Sequence, residues 1–202
     1  MTVAKRVYAL ILGAFIGFIA LASISYYQMG RVYEEANYVS VNSMPSVAAL
    51  NDVSLTFNTL RIWVSRHILY SDSGKKYETE RDIASFRQHL DETYAKYEEM
   101  ISSDEERALF NDVKENIGLY YPKMDAILSA SRQGKVDLAR DLYVDIANEA
   151  KLANQAIDAL VLFNRDLAAS KAEQAQAAYQ RANLISVLMT LLMLGLMAGT
   201  GY

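Results

Sequence analysis

Between residues 50 and 167 the apolar side chains recur at steps of three and four. The first series is Leu50, Val53, Phe57, Leu60, Val64 and Ile68. The second is Ile83, Phe86, Leu90, Tyr94, Tyr97 and Ile101. The third runs Leu109, Val113, Ile117, Tyr120, Met124, Ile127 and Ser131. The fourth is Val136, Ala139, Leu142, Ile146, Ala150, Ala153, Ile157, Leu160, Asn164 and Leu167. Each series puts a narrow apolar stripe on one side of a helix, which is stable only when buried against similar stripes. Four such helices predict an all-α protein.

The breaks between stripes fit that reading. Ser71-Asp72-Ser73-Gly74 closes the first helix. Ser102-Ser103 separates the second from the third, and Ser103 with Glu106 three residues on forms a capping box. Gly134 ends the third, where a left-handed residue is needed. Connections this short make successive helices antiparallel, which predicts an up-down-up-down four-helix bundle. Pro45 is expected to restart or kink the first helix. Pro122 is expected to kink the third, because it cannot donate to the Gly118 carbonyl. Helices one and four are expected to continue from the apolar runs at either end of the chain, since no turn residues cluster between Tyr27 and Asn42 or between Leu167 and Leu184.

Outside the bundle the pattern changes. Residues 7–27 and 184–202 carry no charged side chain, and as helices they extend roughly 31 and 28 Å, each about one hydrocarbon core. The segment 28–183 between them holds all 24 acidic residues and all but two of the 20 Lys and Arg. The exceptions, Lys5 and Arg6, precede the first run, which by the positive-inside rule places residues 1–6 in the cytoplasm. The expected organisation is a transmembrane helix over 7–27, a periplasmic sensor-like bundle over 28–183 and a second transmembrane helix over 184–202. That is a multi-pass protein of the bacterial inner membrane. Tyr26, Tyr27 and Tyr179 stand at the expected interfaces. A cleaved signal peptide ending at Ala20-Leu21-Ala22 is the rival reading, although the apolar run continues past it to Tyr27. Gly74 and Gly134 are expected at opposite ends of the bundle, both outside. The second span has no Lys or Arg after it, so the chain is expected to be the front part of a longer protein.

Composition removes several functions. There is no cysteine, hence no disulfide, thiol nucleophile or thiolate metal site. A formal charge of -4 offers no surface for a phosphate backbone, so nucleic acid is not an expected partner. His67 and His89 are isolated, and neither a haem-attachment sequence, a phosphate-binding glycine loop nor a nucleophile elbow occurs. No enzyme activity and no cofactor are expected. The 14 tyrosines fall mostly on the stripes or at membrane edges, where packing accounts for them.

One constellation stands apart. The segment Leu60-Arg61-Ile62-Trp63-Val64-Ser65-Arg66-His67-Ile68-Leu69-Tyr70 places two arginines among apolar neighbours. On a helix Arg61 lies about 40° from Phe57, at the edge of the buried stripe, and Arg66 about 140° further round. Tyr70 is expected one turn beyond Arg66 and nearly above it. Structural arginines would pair with acids of a neighbouring helix or lay their stems over the apolar seam. Functional ones would grip an anion with their planar forks. Ile62 and Leu69 form a second apolar stripe about 120–140° from Phe57, which suits a partner helix in a homodimer.

Asn42-Ser43-Met44-Pro45-Ser46, Leu50-Asn51 and Arg61-Ile62-Trp63-Val64-Ser65-Arg66-His67 together resemble the N-terminal half of bacterial methyl-accepting chemotaxis proteins with a four-helix-bundle sensor. The resemblance covers the chain from span to span. Similar sensor domains also occur on histidine kinases and diguanylate cyclases. In aspartate-sensing members, helix one presents three arginines spaced five and then four residues apart. Arg61 and Arg66 match the first two, and Tyr70 replaces the third. The resemblance implies a ligand at the dimer interface, held by the first arginine of one subunit and the later ones of the other, with help from the start of helix four. That region falls near Tyr143 to Leu152, where Asn148 is the expected partner. The implied ligand is a small carboxylate bound by Arg61, Arg66, Tyr70 and Asn148, with the loss of one arginine leaving the particular acid open. In the family a cytoplasmic signalling part follows the second span, and this chain carries none. The expected function is therefore a transmembrane chemoreceptor module that passes a conformational signal through helix four. The same module on a kinase or cyclase, or a two-span scaffold without ligand, are the alternatives.

Overall fold

The computed structural model describes residues 3–201. Met1, Thr2 and Tyr202, the ends of the expected cytoplasmic segment and second span, lie outside the described residues, as do the side chains of Lys5 and Arg6. Among the described residues every regular element is helical: α1 (Val3–Tyr38), a π-helical turn (Val39–Ser43), α2 (Met44–Leu69), α3 (Ser73–Glu98), α4 (Asp104–Arg132), α5 (Val136–Asp145) and α6 (Ala147–Gly201). The chain forms two compact units, one of Asn42–Leu167 and one of Met1–Val41 with Ala168–Tyr202.

The first unit is the four-helix bundle, with α5 and the start of α6 sharing the fourth position. Its direction can be read from cross-helix pairs. His67 meets Glu80 while Asp52 meets His89, so α2 and α3 run in opposite directions. His67 meets Ser131 while Phe57 meets Tyr120, so α2 and α4 run alike. Arg61 meets Tyr143 while Asn58 meets Asn154, so the run of α5 into α6 opposes α2. The core is one continuous cluster that includes Leu50, Phe57, Leu60, Leu90, Tyr97, Phe110, Met124 and Leu160. Phe57 packs edge-on to Tyr120 with ring centroids 5.1 Å apart, and Phe110 lies 4.9 Å from Tyr97. Val136 does not join this core: as the first residue of α5 it is exposed, and Ala139 is the first buried residue of that helix.

Helix ends follow the expected chemistry with three adjustments. The first helix stops at Leu69, and Asp72 then accepts from the Lys75 amide as the N-cap of α3, so Ser73 and Gly74 already belong to the next helix. Ser103 caps α4 through the Glu106 amide, but the Glu106 carboxylate reaches the Ser102 amide rather than that of Ser103 itself. Gly134 is left-handed at φ 71°, and the Gly134 and Lys135 amides donate back to Ser131 and Ala130, which closes a Schellman motif. Gly74 and Gly134 lie at the same end of the bundle, not at opposite ends, because each borders a connection at the His67–Ser131 end.

The prolines act differently from one another. Pro45 stands in the first turn of α2, directly after the π-helical turn. There its missing N–H costs little, and the wider turn accommodates a ring that would clash inside a regular helix. Pro122 lies inside α4, which continues through it to Arg132. The fourth stripe is carried by two helices, α5 and α6, parted at the single residue Ile146, whose ψ is -4° while its amide still donates to Leu142 and its carbonyl still accepts from Ala150.

The second unit pairs α1 with the later part of α6. Lys171 bonds Glu35 at 2.8 Å and lies over the Tyr38 ring. Phe15, Ile16, Phe18, Leu188, Leu191 and Leu192 are all more than half exposed. Such a broad apolar surface is incompatible with water and suits lipid. Two helical stretches are long and apolar enough to cross a membrane.

Candidate functional site

The face of α2 that carries Arg61 looks toward α4, α5 and α6. Arg61 is half-buried. Its guanidinium donates to Asn58 Oδ1 at 2.9 Å, while Asn58 and Asn154 exchange hydrogen bonds across to α6. The Tyr143 hydroxyl of α5 donates to the Arg61 carbonyl at 3.4 Å. Beneath them Tyr120 of α4 is fully buried, with its hydroxyl beside the Arg61 guanidinium. Burial raises the Tyr120 phenol far above its ordinary value, and nearby Tyr143 adds to the rise. The Arg61 charge and a hydrogen bond from its guanidinium to the phenol offset part of it. Among the described residues no carboxylate lies within 4.0 Å of Arg61.

This bears directly on the choice between a structural and a functional arginine. An arginine kept for stability in a half-buried site is normally given an acidic partner, because the charge is costly to desolvate alone. Arg61 instead stands in a neutral polar nest of amides and phenols. Of its five N–H donors one goes to Asn58 and one is directed at Tyr120, which leaves others for a planar anion.

Arg66 is placed otherwise. It is exposed, has no ion pair among the described residues, and stacks over Trp63 at 4.9 Å. Trp63 in turn packs against Phe86 of α3. The two arginines therefore point away from one another within one protomer, as the helical spacing requires. Tyr70 stands one turn beyond Arg66 as the C-cap of α2. It is the residue after α2, with extended backbone, its amide donating to the Arg66 carbonyl at 3.1 Å and its ring beneath Lys75 at 5.7 Å. Asn148 is exposed in the first turn of α6. Its neighbour Glu149 pairs with Lys123 of α4, and that bond holds the Glu149 carboxyl below the usual range.

Arg61 thus gains Asn58, Tyr120 and Tyr143 as neighbours and Asn154 through Asn58, whereas among the described contacts none joins it to Tyr70 or Asn148. The one sequence signal for Asn58 and Asn154 was amides at stripe-edge positions of α2 and α6, and it is weak. Tyr120 could be read only as a core residue. Among the described residues, no three metal-ligating side chains come together.

The fold and this layout have known counterparts. Residues 1–179 match the family described as a four helix bundle sensory module for signal transduction. The chain belongs to that family. A relative from Bacillus subtilis (strain 168), named as the sensory transducer protein YvaQ, is 17% identical over 169 residues, which are 84% of this chain and 30% of the relative. The chain thus spans about a third of that relative's length. As a sensory module, the protein is a signal-transduction component rather than a member of a catalytic family.

Proposed function

We propose that this sensory module is the extracytoplasmic input of a membrane chemoreceptor that binds a small organic carboxylate. The observation that carries the reading is Arg61: a half-buried guanidinium in a neutral nest, with no acid of its own. In this reading residues 1–6 are cytoplasmic, 28–183 lie outside the inner membrane and 184–202 return inward. The family match and the apolar surface of the second unit support it.

The site would be completed by a second copy. Leu55, Ile62 and Leu69 are spaced by seven on α2 and are 68%, 53% and 78% exposed. A seven-residue apolar repeat on an exposed face is what a parallel helix pair buries. On helical geometry Arg66 lies about 40° to one side of Ile62 and Arg61 about 100° to the other. In a parallel pair, one flank of each helix faces the opposite flank of its partner. Arg66 of one copy is thereby turned toward Arg61 of the other. A carboxylate bridging them would change the packing of α2 against α5 and α6. The signal is then a shift between two packings of the bundle, carried along α6 toward a cytoplasmic signalling region.

Two measurements test this. The chain in lipid nanodiscs is heated with a panel of small mono- and dicarboxylates, amino acids and their neutral amide analogues. At least one carboxylate is expected to raise the Tm, and its amide is not; a panel without any shift sinks the ligand class. For the dimer, Ile62→Cys is expected to give disulfide-linked pairs in membranes and Glu92→Cys, on the outer face of α3, is not. Equal cross-linking at both positions would remove α2 as the interface.

A further inference from the structure

His67 is fully buried, yet both of its ring nitrogens are engaged. Nδ1 lies 2.9 Å from Ser131 Oγ and Nε2 lies 2.9 Å from Glu80 Oε1. Ser131 is the hub of the cluster. Its hydroxyl accepts from Lys76 Nζ at 3.0 Å and lies 3.0 Å from the His67 carbonyl, while the Ser131 carbonyl also takes Lys76. Glu80 is shared with Arg132 at 3.1 Å. The charged groups facing the ring are thus Lys76 and Glu80 from α3 and Arg132 from α4; among the described residues α5 contributes none.

Counting protons shows why this cluster is more than a fastening. The Ser131 hydroxyl has one proton. If it goes to the His67 carbonyl, Nδ1 must carry a hydrogen to meet the hydroxyl oxygen. A neutral ring would then turn a bare Nε2 toward a bare carboxylate oxygen, which repels. That pattern is consistent only when the ring holds both protons. The neutral ring instead needs N–H at Nε2 for Glu80, so Nδ1 must accept the Ser131 proton. The His67 carbonyl then loses its partner. This carbonyl belongs to the last turn of α2, and among the described residues no amide returns to it. The two protonation states therefore select two exclusive hydrogen-bond patterns, and they differ in whether the end of α2 is capped.

We propose that the His67–Ser131–Glu80 cluster is a proton-binding site, which makes acidity a second input to the module. It is independent of the carboxylate reading, since neither Arg61 nor Arg66 takes part. The proton acts on the joint between α2, α3 and α4, where all three helices meet at one end of the bundle. Burial disfavours the charged ring, and Lys76 and Arg132 add to that, against an opposing pull from Glu80. The balance lowers the affinity of His67 for the proton below that of a free histidine. The folded packing then binds fewer protons than the unfolded chain around pH 6.5, so its stability is full above that value and declines as pH falls through the His67 midpoint.

The test uses the full chain in lipid nanodiscs, with the proton itself as ligand. Ring resonances of His67 are followed by NMR from pH 8 to pH 5, in a His89→Gln background that leaves a single histidine. Thermal unfolding is followed over the same range. The expected midpoint is below 6.5, with Tm falling on acidification more steeply in this background than after the further change His67→Gln. Glu80→Gln removes the one group that favours the charged ring, so it moves the midpoint to lower pH; this variant keeps the histidine and serves if His67→Gln does not fold. A midpoint at or above 6.5, an unmoved midpoint in Glu80→Gln, or identical pH profiles with and without His67 would each overturn the proposal.

Discussion

Arg61→Ala weakens carboxylate binding by roughly 10- to 150-fold, the largest functional effect expected of a single substitution in this protein. The magnitude follows from losing one charge-assisted, two-pronged contact, about 1.5–3 kcal/mol net, with each 1.4 kcal/mol worth about a factor of ten. Because Arg61 has no carboxylate partner to leave stranded, its removal spares the bundle the penalty of an unpaired buried charge. Titration calorimetry on the nanodisc-held chain should therefore show lost affinity with nearly unchanged Tm. Lysine keeps the charge but not the fork, so Arg61→Lys recovers only part of the loss.

The division of the site between two copies gives a sharper form of the experiment. Arg61→Ala and Arg66→Ala homodimers each lack one half of both sites. A mixed dimer of the two variants has one site with both arginines missing and one with both present. Mixing should restore tight binding at half the wild-type stoichiometry. No recovery on mixing, with mixed dimers demonstrated by cross-linking, places both arginines in one protomer's site or in none. Full affinity in either homodimer moves the ligand elsewhere.

Phe57→Ala is the substitution expected to cost most in stability. Phe57 is completely buried, one turn before Arg61, and holds the Tyr120 ring edge-on at 5.1 Å. Truncation removes the transfer energy of the ring and leaves a cavity in a core that collapses only partly, at a cost of about 3–5 kcal/mol. For a bundle of this size that corresponds to a fall in Tm of roughly 10–20 °C. Circular dichroism on heating measures it. Leucine at the same place refills much of the volume and should recover over half of the loss. A drop of less than a few degrees with alanine would mean that α2 and α4 are not packed through this pair.

These two residues, one turn apart on α2, also show how differently fold and site are written in the chain. The seam of α2 was legible position by position, from Leu50 to Ile68, because a helix repeats every 3.6 residues and burial selects apolar side chains at that period. The Ser103 and Gly134 helix ends were legible for a similar reason: capping is local chemistry, settled within about four residues. The resemblance to four-helix-bundle sensors carried the family, which the match over residues 1–179 bears out.

What the pattern could not supply was anything that depends on two helices at once. Tyr70 follows Arg66 by one turn, as the helical spacing requires, but its own backbone is already extended, since Asp72 caps the next helix. Ile146 fitted the fourth stripe, yet its backbone breaks the helix there, and no local residue announced it. His67 read as an isolated histidine, and only the approach of α3 and α4 gave it Glu80 and Ser131. The sequence by itself determined an all-helical bundle with two apolar runs of spanning length, because periodicity and run length are properties of one helix. Only the tertiary structure decided that Arg61 lies among Asn58, Tyr120 and Asn154 without an acid, because a counter-ion's presence or absence is a property of the helices packed beside it.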